Sequence, residues 1–203
     1  MPLFGSTDFL LASTAIPVMA KQAMHPVLII PGIGGSGAGH WQSRWQAFHP
    51  SCSRVEQADW DHPLLAAWLA RLDAAIVASG PDTLLAAHSL GCLLVAHWAA
   101  STPRPIRGAL LVAVPDPAGP AFPAEAASFG PTPANRLPFP ATLVASTDDP
   151  YGSLDHASAT ATNWGANFVN AGAHGHLNAA SGLGDWPAGW QLLQQFSAPD
   201  TAP

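Results

Sequence analysis

The stretch Thr83-Leu84-Leu85-Ala86-Ala87-His88-Ser89-Leu90-Gly91 decides the fold. Its apolar beginning, Thr83 to Ala87, is typical of a strand that is buried on both faces of a parallel sheet. A helical pattern follows from Leu90 to Ala100, so Ser89 stands at a strand–turn–helix junction. That context is the one a nucleophile elbow requires. A serine that merely caps a helix is the alternative, but the buried strand directly before it favours the elbow.

The residues around the serine fit the close packing of an elbow. Small side chains, Ala87 and Gly91, lie two positions before and two positions after it. The N–H of Leu90 starts the helix, where negative charge is favoured, and we expect it to donate to an oxyanion. The second donor is expected at Ile33, in the loop Gly32 to Gly35, with Gly34 against the substrate. This loop lacks the Lys-Ser/Thr ending of a phosphate-binding P-loop.

Strand and helix patterns alternate on both sides of this stretch, which predicts an α/β fold with a mostly parallel sheet and helices on both faces. Binding sites of such sheets lie at the carboxyl ends of the strands. The other predicted strands are Pro26–Ile30, Arg54–Gln57, Gly108–Val114, Ala141–Ser146 and Asn167–Asn170. The other predicted helices are Gly39–Phe48, Pro63–Ala78, Tyr151–Trp164 and Trp186–Phe196.

The segment Pro115 to Pro140 interrupts this alternation. It holds eight prolines and shows little periodicity. A stretch of this length without secondary structure is usually a lid or a binding loop in a compact domain. We therefore expect a small cap above Ser89, in which Phe122 and Phe129 contact the substrate.

An elbow serine of this fold is followed in the chain by an acid and then by a histidine. His174 and His176 both follow the last predicted strand, and spacing alone does not choose between them. A metal site at this His-X-His pair is disfavoured because no third ligand lies nearby. Asp148 and Asp149 follow the strand Ala141–Ser146, where one of the two is expected to cap the next helix. Asp116, one strand earlier, is the second choice for the acid.

Composition limits the possible partners and the cellular location of the protein. A chain of 203 residues fits one domain, expected at 24–203, after an extension at 1–23 that is expected to be loosely ordered. A net charge of −6 with seven Lys and Arg argues against nucleic acid. No apolar stretch is long enough to span a membrane. Two cysteines, Cys52 and Cys92, form no disulfide framework, and the extension has no basic residue before its apolar run, so the expected location is cytoplasmic.

The ordered motifs of this sequence resemble those of the small single-domain serine hydrolases that include retinoblastoma-binding protein 9 and the bacterial YdeN-type esterases. The resemblance runs from about Val27 to Leu193. The motifs that carry it are Pro31-Gly32, Gly39-His40-Trp41-Gln42, Arg44-Trp45, Asp59-Trp60, His88-Ser89-Leu90-Gly91, Ser146-Thr147-Asp148-Asp149-Pro150, Gly175-His176-Leu177-Asn178 and Ser181-Gly182-Leu183-Gly184-Asp185-Trp186-Pro187.

The resemblance implies an α/β-hydrolase fold and chooses between the candidate histidines and among the candidate acids. It implies that Ser89, Asp149 and His176 form a catalytic triad that cleaves small acyl esters. Nothing in the sequence calls for a metal or an organic cofactor. A peptidase or amidase with the same triad, or a mainly protein-binding member of the fold, are the alternatives. Trp41, Trp45 and Trp60 are candidates for lining an acyl pocket, although packing in the core explains each of them equally well.

Overall fold

Strands and helices alternate along the chain, in the order that the sequence predicts. The computed structural model describes residues 24–101 and 104–197, so the predicted extension at 1–23 lies outside the described residues. The strands are β1 (Val27–Ile30), β2 (Cys52–Arg54), β3 (Leu84–His88), β4 (Gly108–Val112), β5 (Ala141–Ala145) and β6 (Asn167–Asn170). The helices are α1 (Trp41–Phe48), α2 (Leu65–Ser79), α3 (Leu90–Ser101), α4 (Leu154–Trp164) and α5 (Pro187–Gln194).

The six strands form one sheet in the order β2-β1-β3-β4-β5-β6, and every neighbouring pair is parallel. The predicted α/β fold is therefore confirmed. The chain leaves β1 toward β2 on one side and returns to β3 on the other side. This reversal of strand order opens a crevice beyond the carboxyl ends of β1 and β3, which is where open α/β sheets bind their ligands.

Two apolar clusters cover the two faces of the sheet. All residues of β1, β3, β4 and β5 are buried, as expected for strands with helices on both faces. The larger cluster contains α3 and the inner faces of α2 and α4, and the smaller one contains Trp41 and Trp45 of α1. In the described part of the chain, no helix is long and apolar enough to cross a membrane.

Some element boundaries differ from the prediction. Strand β2 lies at Cys52–Arg54 rather than at Arg54–Gln57, because its register with β1 pairs Cys52 with Val27. Strand β4 ends at Val112 because the following Ala113 turns to a φ of 56°. Helix α4 begins at Leu154 rather than at Tyr151, since the Ser153 side chain accepts from the N–H of His156 as the N-cap.

The segment from Pro115 to Pro140 contributes both to the core and to the region above Ser89. Its Ala124–Phe129 part forms a 3₁₀ helix that buries Ala126 and Phe129 against the larger cluster. Phe129 is 0% exposed, so the expectation that its side chain contacts the substrate is corrected. Phe122 remains partly buried at the surface of the crevice.

Candidate active site

Ser89 occupies a tight turn between β3 and α3. Its φ of 54° is left-handed, a strained conformation that is common at functional positions. The main-chain N–H of Ser89 donates to Val112 O at 2.9 Å, which ties the turn to β4. A Cβ on Gly91 would overlap the carbonyl oxygen of Ile30, and a Cβ on Gly32 would stand 2.9 Å from Ser89 Cβ. The elbow therefore requires glycine at both positions.

Three side chains that lie far apart in the sequence form one chain of hydrogen bonds. His176 Nε2 lies 2.8 Å from Ser89 Oγ, and His176 Nδ1 lies 2.9 Å from both carboxylate oxygens of Asp149. The carboxylate accepts at Nδ1, so a neutral His176 carries its proton there and leaves Nε2 to accept from the serine hydroxyl. The side chains of His176 and Asp149 are 10% and 3% exposed, which shields their contact from water.

The other candidate acids and bases have different partners. Asp148 Oδ1 accepts from Ser146 Oγ and from the N–H of Gly175, both at 2.7 Å, and these bonds lower the pKa of Asp148. Asp148 therefore does not cap α4. Asp116 faces His156, with 3.6 Å between its Oδ2 and the ring Nδ1. His174 is exposed. Among the described residues, only Asp149 brings a carboxylate to His176.

The two residues expected to supply the oxyanion donors line the same cavity as Ser89. Leu90 is the first residue of α3, so its N–H has no acceptor within the helix. In the loop after β1, the N–H of Gly34 donates to Trp60 O at 3.1 Å and that of Gly35 donates to Gly32 O at 3.2 Å. Ile33 lines the same cavity as Ser89 and Leu90. With Gly34 and Gly35 engaged, Ile33 stays the predicted second donor of this loop.

Two polar side chains without a role predicted from the sequence hold this loop in place. Gln42 is 0% exposed, and its Nε2 donates to Ile30 O at 3.1 Å and Ala86 O at 2.9 Å, while its Oε1 accepts from Ser36 Oγ at 2.7 Å. The guanidinium of Arg54 donates to the carbonyl oxygens of Gly35 and Ser36. The resemblance motif that contains Gln42 was the only sequence signal for this role.

A cavity of about 740 Å³ opens above Ser89. Ile33, Gly34 and Phe122 line it. Trp41, Trp45 and Trp60 do not line it, which corrects the expectation for these tryptophans. Trp41 and Trp45 are each 1% exposed in the core. Trp60 packs against Trp68, and its ring lies 3.0 Å from the position that a Cβ on Gly35 would take.

The wall of the cavity carries acidic groups but no permanent cation among its described residues. The lining residues are Ile33, Gly34, Ser36, Gly37, His40, Asp61, His62, His88, Ser89, Leu90, Pro115, Phe122, Pro123, Glu125, Tyr151, His176, Asn178, Ala179 and Ala180. Asp61 and Glu125 are exposed carboxylates. The guanidinium of Arg54 binds the carbonyl groups of the loop, and its Nε lies 4.0 Å from Glu56 Oε1.

Two further histidines are packed beside His176. The ring centroid of His88 lies 4.9 Å from that of His176, and His40 follows at 4.6 Å from His88. Burial, helped by the charge of Arg54 and by His176, lowers the pKa of His40 to about 4. Burial also lowers the pKa of His88 well below its ordinary value. Both rings are therefore neutral at pH 7, so neither of them places a positive charge beside His176.

An all-parallel sheet of this order with a serine at a strand–helix elbow defines the α/β-hydrolase class. Residues 27–195 match the model of the family described as Serine hydrolase, so the chain belongs to that family and is a serine hydrolase. No protein of curated function matches the sequence.

Solved structures place the chain beside the YdeN-type hydrolases. A YdeN-like hydrolase from Pectobacterium atrosepticum is 29% identical, with a TM-score of 0.76 over 85% of this chain and 90% of that one. The ydeN gene product of B. subtilis is 19% identical, with a TM-score of 0.69 over 85% and 98%. A thermophilic esterase from Thermogutta terrifontis, 12% identical with a TM-score of 0.63 over 86% and 91%, shares the fold. The resemblance to the YdeN-type serine hydrolases is therefore confirmed.

Proposed function

We propose that the protein hydrolyses small acyl esters through a triad of Ser89, His176 and Asp149. The observation that carries this proposal is the unbroken chain of hydrogen bonds from Ser89 Oγ through His176 to Asp149, at an elbow beneath an open cavity. Ser89 Oγ attacks the ester carbonyl while His176 Nε2 accepts the hydroxyl proton. His176 then gives this proton to the alcohol that leaves, and Asp149 stabilises the imidazolium that forms in between.

The negative charge of the tetrahedral intermediate needs donors on the side of Ser89 away from His176. We assign this task to the N–H groups of Leu90 and Ile33. Removing one such donor in a serine hydrolase raises the barrier by about 3 to 4 kcal/mol. Water then enters the cavity and attacks the acyl-enzyme, with His176 as the general base. The bond between the acyl carbon and Ser89 Oγ breaks, His176 returns the proton to Ser89, and the carboxylic acid leaves.

An ester is the preferred substrate over an amide because an alcohol leaves more readily than an amine. The cavity of about 740 Å³ falls within the range typical of small-molecule sites. A peptidase or amidase with the same triad, and a mainly protein-binding role, stay the alternatives to this proposal. No feature of the described residues favours either one over an esterase.

The first experiment is labelling with a fluorophosphonate probe, followed by hydrolysis of matched p-nitrophenyl esters and anilides. We expect labelling of the wild-type protein and of the Ser36→Ala variant, which changes another serine of the cavity wall, but not of Ser89→Ala. His176→Ala should lower kcat far more than His174→Ala. Labelling of Ser89→Ala at the wild-type level would refute the proposal. Faster cleavage of the anilides than of the esters would replace the esterase assignment by an amidase.

A further inference from the structure

His176 stands on a loop without regular secondary structure. Residues 171–178 contain neither helix nor strand, and the chain takes positive φ angles at Gly175 (55°) and Leu177 (48°). No ladder of hydrogen bonds fixes such a segment from within. The position of the imidazole therefore depends on contacts that the loop makes with other elements.

Contacts from the sheet and from α1 hold the residues on both sides of His176. Ser146 Oγ accepts from the N–H of His174 at 2.9 Å, and Asp148 accepts from the N–H of Gly175. On the other side, Trp41 Nε1 donates to Leu177 O at 2.9 Å. These bonds position the neighbours of His176 rather than His176 itself.

One side chain reaches the main chain of His176. His88 Nε2 lies 2.8 Å from His176 O, and because a carbonyl oxygen only accepts, Nε2 carries the proton and donates it. The His88 ring is 5% exposed and meets the His176 ring at an interplanar angle of 64°. A His88 ring that stays neutral gives this hydrogen bond without placing a second positive charge beside the imidazolium.

His88 directly precedes Ser89 in the chain, so two successive residues hold His176 at two points. Ser89 Oγ meets the imidazole Nε2, and His88 Nε2 meets the main-chain carbonyl, each at 2.8 Å. We propose that His88 is a positioning residue, which fixes the main chain of His176 so that Nε2 stays directed at Ser89 Oγ. This inference rests on the proposed function, because it assigns His88 to the same reaction.

The test compares two substitutions of His88. His88→Leu keeps the bulk of the side chain but removes the donor, whereas His88→Gln places an amide N–H near the position of Nε2. We expect kcat per active site, counted by titration with the fluorophosphonate, to fall about 10- to 100-fold in His88→Leu, as small misplacements of catalytic groups do. KM should stay within about two-fold, and His88→Gln should recover most of kcat. If His88→Leu does not fold, His88→Asn replaces it, since its amide corresponds to Nδ1 rather than to Nε2.

His97 offers a matched control. Its Nε2 lies 2.8 Å from Phe129 O, the same kind of partly buried bond from a ring to a main-chain carbonyl, made from α3 to the segment that follows β4. His97→Leu should lower the melting temperature by a similar amount and leave kcat per active site near the wild-type value. A difference in kcat between the two leucine variants then reports on His176 rather than on general stability.

Each outcome of this experiment supports or overturns the inference. Equal kcat per active site in wild type and His88→Leu, or in His88→Leu and His97→Leu, would overturn it. So would a His88→Gln variant that is no more active than His88→Leu. Wild-type protein that reacts with neither probe nor ester would instead refute the proposed function, and the inference about His88 with it.

Discussion

The carboxylate of Asp148 accepts a hydrogen bond from the N–H of Gly175 at 2.7 Å, while the next residue, Asp149, contacts the ring of His176. Two adjacent acids at the end of β5 therefore hold the same loop, one by its main chain and one by its imidazole. The two carboxylates therefore have different roles, and substituting each residue in turn separates these roles.

Asp149→Asn should lower kcat/KM by about 10⁴-fold, because the amide would hold the imidazole in the wrong tautomer. The volume of the side chain is unchanged, so the melting temperature should change little. Asp116→Asn is the control for the alternative acid and should retain nearly full activity, since Asp116 faces His156. Both values are measured on one activated short-chain ester. A severe loss in Asp116→Asn with a near-normal Asp149→Asn would reverse the assignment.

Asp148→Asn should reduce activity only slightly, because the amide oxygen still accepts from Gly175. Asp148→Ala removes the acceptor from both Gly175 N–H and Ser146 Oγ, and we expect a clearly larger fall in kcat. The comparison is again kcat on one ester, with the melting temperature of each variant. Equal rates in the two variants would show that the hydrogen bond to the loop does not matter for the reaction.

Acidification should destabilise the protein through His40. Its pKa is about 4 in the folded state, against about 6.5 when unfolded, so the unfolded chain binds more protons between these values. The stability that a neutral, buried His40 contributes is fully present above pH 6.5 and is lost as the pH falls toward 4. From pH 7 to pH 5 we expect a loss of about 2 kcal/mol in the free energy of unfolding.

Urea unfolding at the two pH values measures this loss. His40→Asn provides the comparison because the asparagine oxygen can still accept from the Gln42 N–H as the N-cap of α1, but it does not titrate. The fall in free energy between pH 7 and pH 5 should be smaller by about 2 kcal/mol in this variant. The same fall in wild type and variant would contradict a buried, neutral His40.

The carboxylates of Asp61 and Glu125 should disfavour anionic substrates. The measurement is the ratio of two kcat/KM values, that of a carboxylate-bearing ester divided by that of its neutral isostere. In the double variant Asp61→Asn/Glu125→Gln, this ratio should rise roughly three- to ten-fold at low salt. The intrinsic reactivity of the two esters cancels when this ratio is compared between proteins. The gain should vanish at high salt. Asp82→Asn/Asp155→Asn, which removes two carboxylates outside the cavity wall, should leave the ratio unchanged.

Phe122 and Phe129 should respond to substitution in opposite ways. Phe122 lines the cavity and is partly buried, so Phe122→Ala should change the preference for acyl chain length with a small effect on stability. Phe129 is fully buried against Trp68, and Phe129→Ala should cost about 3 to 5 kcal/mol of stability. Activity across a series of esters, together with urea unfolding, separates the two effects. An unchanged preference for acyl chain length in Phe122→Ala would show that Phe122 does not contact the substrate.

The sheet and the elbow could be predicted from the sequence because their signals are contiguous. A buried strand, a turn and a helix follow one another from Thr83 to Ala100, and each short apolar run predicts its own strand. The sequence did not decide between adjacent candidates such as Asp148 and Asp149. The direction in which each carboxylate points depends on the dihedral angles of the turn, which residue spacing leaves undetermined.

The other roles depend on partners that are distant in the sequence. Trp41 bonds Leu177 O across 136 positions, and Gln42 bonds Ala86 O across 44. A tryptophan near a glycine-rich loop can line a pocket or pack in the core, and composition does not distinguish these two locations. Arg54 appeared as the first residue of a strand, and its contact with the loop carbonyls required the register of β2 against β1 to be known.

The distance in sequence between Ser89 and His176 also has a consequence during synthesis of the chain. The elbow is complete once β4 has supplied the acceptor for Ser89 N–H, but His176 lies 87 residues after the serine. A ribosome-bound chain that has already formed the elbow therefore carries a serine with an ordinary hydroxyl and no base. Under the proposed mechanism, hydrolysis begins only when the last part of the domain has been translated and docked, so the growing polypeptide does not attack cellular esters.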